Sequence, residues 1–214
     1  MILEIYTDAS MKSYPNGRTF GCSGAICPIE GTSVYKINPD TTNNKSELIA
    51  ILIGIQMANN IITNNPIYDE IYLYSDSLFS INGLTKWIYG WVRTLDQNEI
   101  IYGSNKEPVK NQQLFYAILT YLSENNLKIN FRHQSGHVNY SNAKDLYKAN
   151  EVFFKSNGYY LSDEDIFKIS LYNDIVDKST RMKLDGLDTN QYPILNANVE
   201  LCRLTFPRSF KKYI

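Results

Sequence analysis

The spacing of apolar side chains changes character near residue 43, and that change limits the folds open to the chain. Ile2, Leu3, Ile5 and Tyr6 form a short β-prone run that stops at Thr7-Asp8-Ala9-Ser10, ahead of a polar stretch with Pro15-Asn16-Gly17. Strand character resumes from Phe20 to Ile29, turns at Glu30-Gly31-Thr32 and continues from Val34 to Ile37. Three consecutive strands with short connections pair antiparallel. From Asn43 to Asn60 the period becomes three to four residues, with Leu48, Ile51, Leu52, Ile55 and Ala58 on a buried helix and Asn43 or Asn44 as its N-cap.

A further strand (Ile71 to Tyr74) ends at Ser75-Asp76-Ser77 and is followed by helical patterning from Leu78 through Trp91. Residues 93–109 are polar and irregular, Asn111 to Leu122 are helical, and Leu127 to Phe131 form a last β-prone run before Gln134-Ser135-Gly136-His137. The order is β-β-β-α-β-α-α-β-α, that of an α/β fold. Beyond residue 138 the pattern is helical: Ala149, Val152 and Phe153 share a face, Gly158 is a stop, and Ser162-Asp163-Glu164-Asp165 resembles a capping box. That second helix either breaks before Asn173 or runs on to Arg181. Past Lys183 an irregular tail is expected, with Val199 to Phe206 a candidate strand.

A chain of 214 residues allows one domain with an appendage, and 43% hydrophobic with 20% charged residues excludes disordered and collagenous classes. The longest apolar run, Leu48 to Ala58, is broken by Gln56 and is shorter than the ~18 residues of a membrane span, so no membrane partner is expected. The N-terminus lacks a signal-peptide pattern and three cysteines make no even framework, which suits a reducing, cytoplasmic setting. The net charge of −1 makes any recognition of nucleic acid local. Residues 177–214 depart from that balance, with seven basic against four acidic residues, +3.

Asp8 and Asp76 follow the first and fourth strands, and Glu47 lies in the first turn of the helix between them. If a crossover helix makes those strands neighbours, the two aspartates emerge side by side with Glu47 above. Two carboxylates ~4 Å apart repel by about 4 kcal/mol at an effective dielectric of ~20, so such a group takes up protons or captures cations. Oxygen-only ligands select hard ions such as Mg²⁺ or Mn²⁺. Taken singly, each residue also has a local reading: Asp8 in a turn, Asp76 as an N-cap, Glu47 complementing a helix dipole.

The surrounding words resemble ribonuclease H of type 1. They are Tyr6-Thr7-Asp8-Ala9-Ser10, Thr41-Thr42-Asn43-Asn44-Lys45-Ser46-Glu47-Leu48, Ser75-Asp76-Ser77 followed by Thr85-Lys86-Trp87-Ile88 and Trp91, and Pro108-Val109-Lys110-Asn111. The match runs from residue 1 to about 138 and resumes at about 173 to 181. The resemblance implies a five-stranded mixed sheet (strands 1–3 antiparallel, 4 and 5 parallel to strand 1) with helices on both faces. It also implies a catalytic domain over 1–182 with a helical insertion at about 139–172 and a C-terminal extension over 183–214.

Carried over by position, the resemblance makes Asp8, Glu47 and Asp76 metal-binding carboxylates. For the fourth it offers Asp177, in Asn173-Asp174-Ile175-Val176-Asp177-Lys178, at the start of a final helix; Asp145 lies nearer the usual distance but in a different phrase. His137 fits the family's mobile loop histidine, which assists proton transfer or product release, whereas His133 belongs to the strand end. Asn43 and Asn44 are implied to meet 2′-hydroxyls of a hybrid, with Ser10 and Gln134 as further backbone contacts. The implied reaction is hydrolysis of the RNA strand of RNA/DNA hybrids with two Mg²⁺ ions, Mn²⁺ substituting, giving 5′-phosphate and 3′-hydroxyl products.

The stretch Arg93-Thr94-Leu95-Asp96-Gln97-Asn98-Glu99 lacks the charge of the basic projection that grips DNA in many relatives, which predicts weaker or relocated DNA-strand contacts. Trp87 and Trp91, one turn apart, are core residues or stacking platforms. A monomer is expected, and the Asn-, Ile- and Lys-rich composition suits a virus or an AT-rich bacterium. Two alternatives stand beside this reading: a DNA-directed or junction nuclease of the same fold, and a non-catalytic nucleic-acid-binding module.

Overall fold

The computed structural model describes residues 1–98 and 100–192. Its centre is a five-stranded sheet: β1 (Ile2–Ser13), β2 (Thr19–Cys27), β3 (Thr32–Pro39), β4 (Glu70–Ser75) and β5 (Asn130–His133), in the order β3-β2-β1-β4-β5. β1, β2 and β3 form an antiparallel meander, while β4 runs parallel to β1 and β5 parallel to β4. The expected mixed sheet is therefore present.

Alternation along β1 divides the core. Leu3 and Ile5 face α1 (Asn43–Asn64), and with Leu48, Ile51 and Ile55 they form the larger cluster, closed by Phe115, Ile118 and Leu119 of α4 (Gln112–Glu124). Tyr6 faces the other side, where it joins Phe153 of α5 (Ala143–Asn157) and Ile166, Ile169 and Val176 of α6 (Asp163–Asp185). Helices thus cover both faces. α1 has the length and hydropathy of a membrane span, yet its apolar residues are spent on this core.

Several local expectations shift. The N-cap of α1 is Thr42, whose hydroxyl accepts from the Lys45 N–H, and Asn43 and Asn44 occupy the first turn instead. The Leu78 to Trp91 segment is α2 (Leu78–Asn82), a wider π turn (Gly83–Trp87) and α3 (Ile88–Trp91). Gly158 caps α5 with φ +87°, and Ser162 caps α6 by accepting from the Asp165 N–H, both as the sequence suggests.

α6 runs unbroken from Asp163 to Asp185, so Asp177 lies in mid-helix and not at a helix start. The reason is packing: Ile166, Ile169, Ser170, Asn173, Val176, Asp177, Thr180 and Leu184 make one continuous buried stripe. Beyond α6 the chain folds back onto the β1–β2 hairpin, where Leu184 and Tyr192 meet Phe20. The candidate strand from Val199 to Phe206 lies outside the described residues.

Candidate active site

Asp8 sits in mid-strand, not at a strand end, and the ladder explains why it is nevertheless available. The parallel pairing of β1 with β4 ends at Thr7↔Ser75, so Asp8 and Asp76 are the first residues beyond it on each chain. β1 continues alone with β2, leaving a notch. Glu47 enters that notch from the first buried turn of α1.

One carboxylate oxygen from each of Asp8, Glu47 and Asp76 lies within 4.8 Å of the others. Asp8 and Glu47 are each only 4% exposed. The Asp8 carboxylate accepts the Ala9 N–H at 2.7 Å, while Glu47 Oε2 is buried with no partner. Burial, then repulsion from Asp76 and Asp177, holds the Asp8 carboxyl well above its ordinary range. Glu47 is raised by burial and by Asp8 and Asp76. Asp76 is also raised, chiefly by burial, although the Asn173 amide beside it favours the charged form. A hard divalent cation suits this donor set, which is all oxygen, mutually repulsive and includes a buried oxygen with nothing else to bond.

α6 supplies the fourth acid. Asp177 is 7% exposed and close enough to raise both aspartates; its carboxylate accepts Arg181 Nε at 2.8 Å and the Ser10 hydroxyl at 3.4 Å. Asp145 pairs with Lys148 on α5 and does not line the cleft, so of the two candidates Asp177 is the one at the cluster. His137, with φ +52° and 69% exposed, holds Nδ1 3.4 Å from Asp177 Oδ2. Together these residues line an open cleft of about 710 Å³, with Asn43, Asn44 and Ser77 on its walls.

Of two expected substrate contacts, one faces inward and the other is engaged within the protein. Gln134 is 1% exposed and donates from Nε2 to Asn173 Oδ1 at 2.6 Å, so it buttresses Asn173 instead of lining the cleft. Ser10 reaches the cleft wall, but its hydroxyl is committed to Thr180 at 2.7 Å and to Asp177. His133, as expected, is structural: Nδ1 meets Ser156 at 2.8 Å, and Asn157 bonds its backbone N–H and carbonyl. Trp91 packs on Phe115 and Trp87, while Trp87 itself is exposed.

Asn173, Arg181 and Gly136 were given no role in the site from the sequence, where Arg181 stood only as a surface i,i+4 partner of Asp177. The signal for the first two was the four-residue spacing of Asn173, Asp177 and Arg181, which places all three on one helix face once the helix is known to be continuous.

Residues 2–151 match the profile of a known family, RNase H. The chain belongs to the RNase H family. Among curated relatives, ribonuclease H of Hyphomonas neptunium is 34% identical over 119 residues, 55% of this chain and 69% of that protein. The Legionella pneumophila ribonuclease H is 32% identical over 141 residues, 64% and 88% of the respective chains. A solved structure of a foamy viral protease-reverse transcriptase in complex with dsDNA matches with a TM-score of 0.50 and 18% identity, covering 73% of this chain and 95% of that one, a likeness of fold. This RNase H is thus a nuclease by family. The family match stops within α5, so the helix carrying Asp177 lies outside it.

Proposed function

We propose that this RNase H hydrolyses the RNA strand of RNA/DNA hybrids, leaving 5′-phosphate and 3′-hydroxyl ends. The observation that carries the reading is Glu47 Oε2, buried and partnerless between two other carboxylates with raised pKa. Asp8, Glu47, Asp76 and Asp177 would hold two Mg²⁺ ions, with Mn²⁺ as substitute. Bound divalent ions supply Lewis acidity for activating water and for stabilising the leaving oxygen.

The chain's own residues do the rest. The exposed amides of Asn43 and Asn44, on the cleft wall one turn before Glu47, can donate to one 2′-hydroxyl and accept from another. His137 stands at the rim on a short turn, free of burial, where it can exchange a proton with solvent and the product end. Arg181 and Ser10 keep Asp177 oriented. Relatives bearing the name ribonuclease H support the substrate class.

The test uses a labelled RNA/DNA hybrid beside duplex DNA and single-stranded RNA. Cleavage of the hybrid's RNA strand alone, abolished by EDTA and by Asp8→Asn, is the expected result. Equal cutting of duplex DNA, or inertness with both magnesium and manganese, would overturn the proposal.

A further inference from the structure

Nucleic acid brings phosphates that the cleft itself is poorly equipped to hold. Both basic side chains on its wall are engaged by carboxylates, Lys12 by Asp185 at 2.6 Å and Arg181 by Asp177 at 2.8 Å. Just past the cleft the balance reverses. Leu78, exposed and two residues beyond Asp76, lines the cleft and also a second hollow of about 270 Å³. This hollow lies between α2 with its π turn and the last turn of α5, along the edge strand β5, and no Asp or Glu lines it.

Its two cations have no carboxylate partner among the described residues, and they are held differently. Lys86, on the π turn, is exposed and makes no side-chain hydrogen bond there. Burial, and with it the charge of Lys86, keeps the His133 imidazole on the wall below its ordinary pKa, so the ammonium stands close by. Arg132 is fixed in place. Its guanidinium lies 4.9 Å from the centre of the Tyr72 ring, Nε donates to the Tyr159 hydroxyl at 3.2 Å and Nη1 to the Phe131 carbonyl at 3.2 Å. Nη2 is left over, and a guanidinium already oriented gives up little freedom on meeting a phosphate. Asn82 adds an amide with no hydrogen bond among the described residues, its Oδ1 buried and partnerless. A polar group left so costs stability until something bonds it. Ser156 and Asn157 close the wall from α5, so the helical insertion after residue 138 builds part of the hollow.

We propose that this hollow is a phosphate subsite, holding a backbone phosphate of the nucleic-acid strand that leaves the cleft over Leu78. Lys86 and Arg132 supply the charge, and the Asn82 amide supplies a hydrogen bond. The inference rests on the reading of the cleft as a nucleic-acid site, but it concerns binding, which can be measured without turnover.

The test compares Lys86→Gln, Arg132→Gln, their double variant and Asn82→Leu with a control of equal charge change, Lys36→Gln with Lys128→Gln, both exposed and lining neither cleft nor hollow. Binding to a short RNA/DNA duplex is followed by fluorescence anisotropy in EDTA from about 50 to 200 mM salt. One phosphate contact, at a slope of ~0.9 in log K against log[salt], amounts to about 15-fold in affinity at 50 mM and about fourfold at 200 mM. The double variant is expected to lose that much and about one unit of slope, with the single losses falling short of additive because both cations meet one phosphate. Lys86 and Arg132 each line a further hollow, but only this one is lined by both. Asn82→Leu, which breaks no hydrogen bond of the fold, should bind several-fold more weakly at unchanged slope, and it keeps the test alive if Arg132→Gln does not fold. Parent-like binding by the double variant and by Asn82→Leu would overturn the proposal. So would an equal loss in the control, or additive losses with a slope lower by about two, which would mean two separate phosphates. Loss of inorganic phosphate in equilibrium dialysis with duplex binding intact would mark a site for a free anion and overturn it as well. A parent that binds but never cuts would sink only the proposed reaction.

Discussion

Gly136 stands so close to Asp76 that a β-carbon on it would overlap the Asp76 carboxylate, with Oδ2 the nearest atom. The loop after β5 thus sets the position of the second aspartate by leaving out a side chain. Its backbone is not in the left-handed region, so the requirement is one of space. Gly136→Ala is expected to push Asp76 out of the group, lowering hybrid cleavage by about 10²-fold, the scale at which ~1 Å misplacements act. Thermal unfolding should change little, because the closest clash is with the end of the Asp76 side chain on an open cleft wall. Calorimetric Mn²⁺ titration should show weakened binding in parallel; unchanged cleavage and unchanged ion binding would refute the account.

Asn173 is the hinge of a buried polar chain from Gln134 to Asp76. It accepts from Gln134 at 2.6 Å, and its amide favours the charged form of Asp76. Asn173→Leu would strip both neighbours while filling the volume. Leaving Gln134, whose Oε1 already lacks a partner, without its acceptor costs about 1–3 kcal/mol. Asp76 would then hold its proton to higher pH. The expected result is a lower unfolding midpoint and an activity profile whose rising limb moves to more alkaline pH, read by urea denaturation and initial rates across pH.

The sheet and the three core carboxylates were legible because their causes are local. Short β-prone runs with turn residues between them set the meander, and the three-to-four-residue period of Leu48 to Ala58 set the crossover helix that brings Asp8 and Asp76 together. Roles fixed by tertiary contacts were not legible. Nothing in the spelling of Gln134 shows that Asn173 awaits it inside, and Thr42, not either asparagine, caps α1 because the asparagines fall one position too late. The continuity of α6 was ambiguous for a related reason: its buried stripe mixes Ser170, Asn173, Asp177 and Thr180 with apolar residues, so the hydrophobic period fades where the site begins.

That ambiguity bears on the fourth carboxylate. Asp177 is buried against Ser10 and Arg181 at the acidic group, whereas Asp145 is paired with Lys148 on α5. Asp177→Asn is expected to cost about 10²-fold or more in cleavage, and Asp145→Asn less than twofold, with initial rates on the same hybrid as the measure. A reversed order would move the site to α5.

The acidic group should also leave a mark on stability. Asp8, Glu47 and Asp76 all have folded-state pKa values raised above their unfolded ones, so the folded protein holds protons that the unfolded chain releases. Stability in EDTA then falls as pH rises from the unfolded carboxylate range, ~4, until the raised pKa values are passed, and is lowest above them. Asp8→Asn removes one charge and relieves the other two, while its amide oxygen can still accept the Ala9 N–H. Its melting temperature in EDTA should exceed that of the parent by about 2–6 °C at pH 8, with the gap closing near pH 4. Magnesium should raise the parent and leave the variant nearly unmoved. A parent that is instead most stable at alkaline pH without divalent ions would show that the carboxylates do not repel one another as their burial and proximity require.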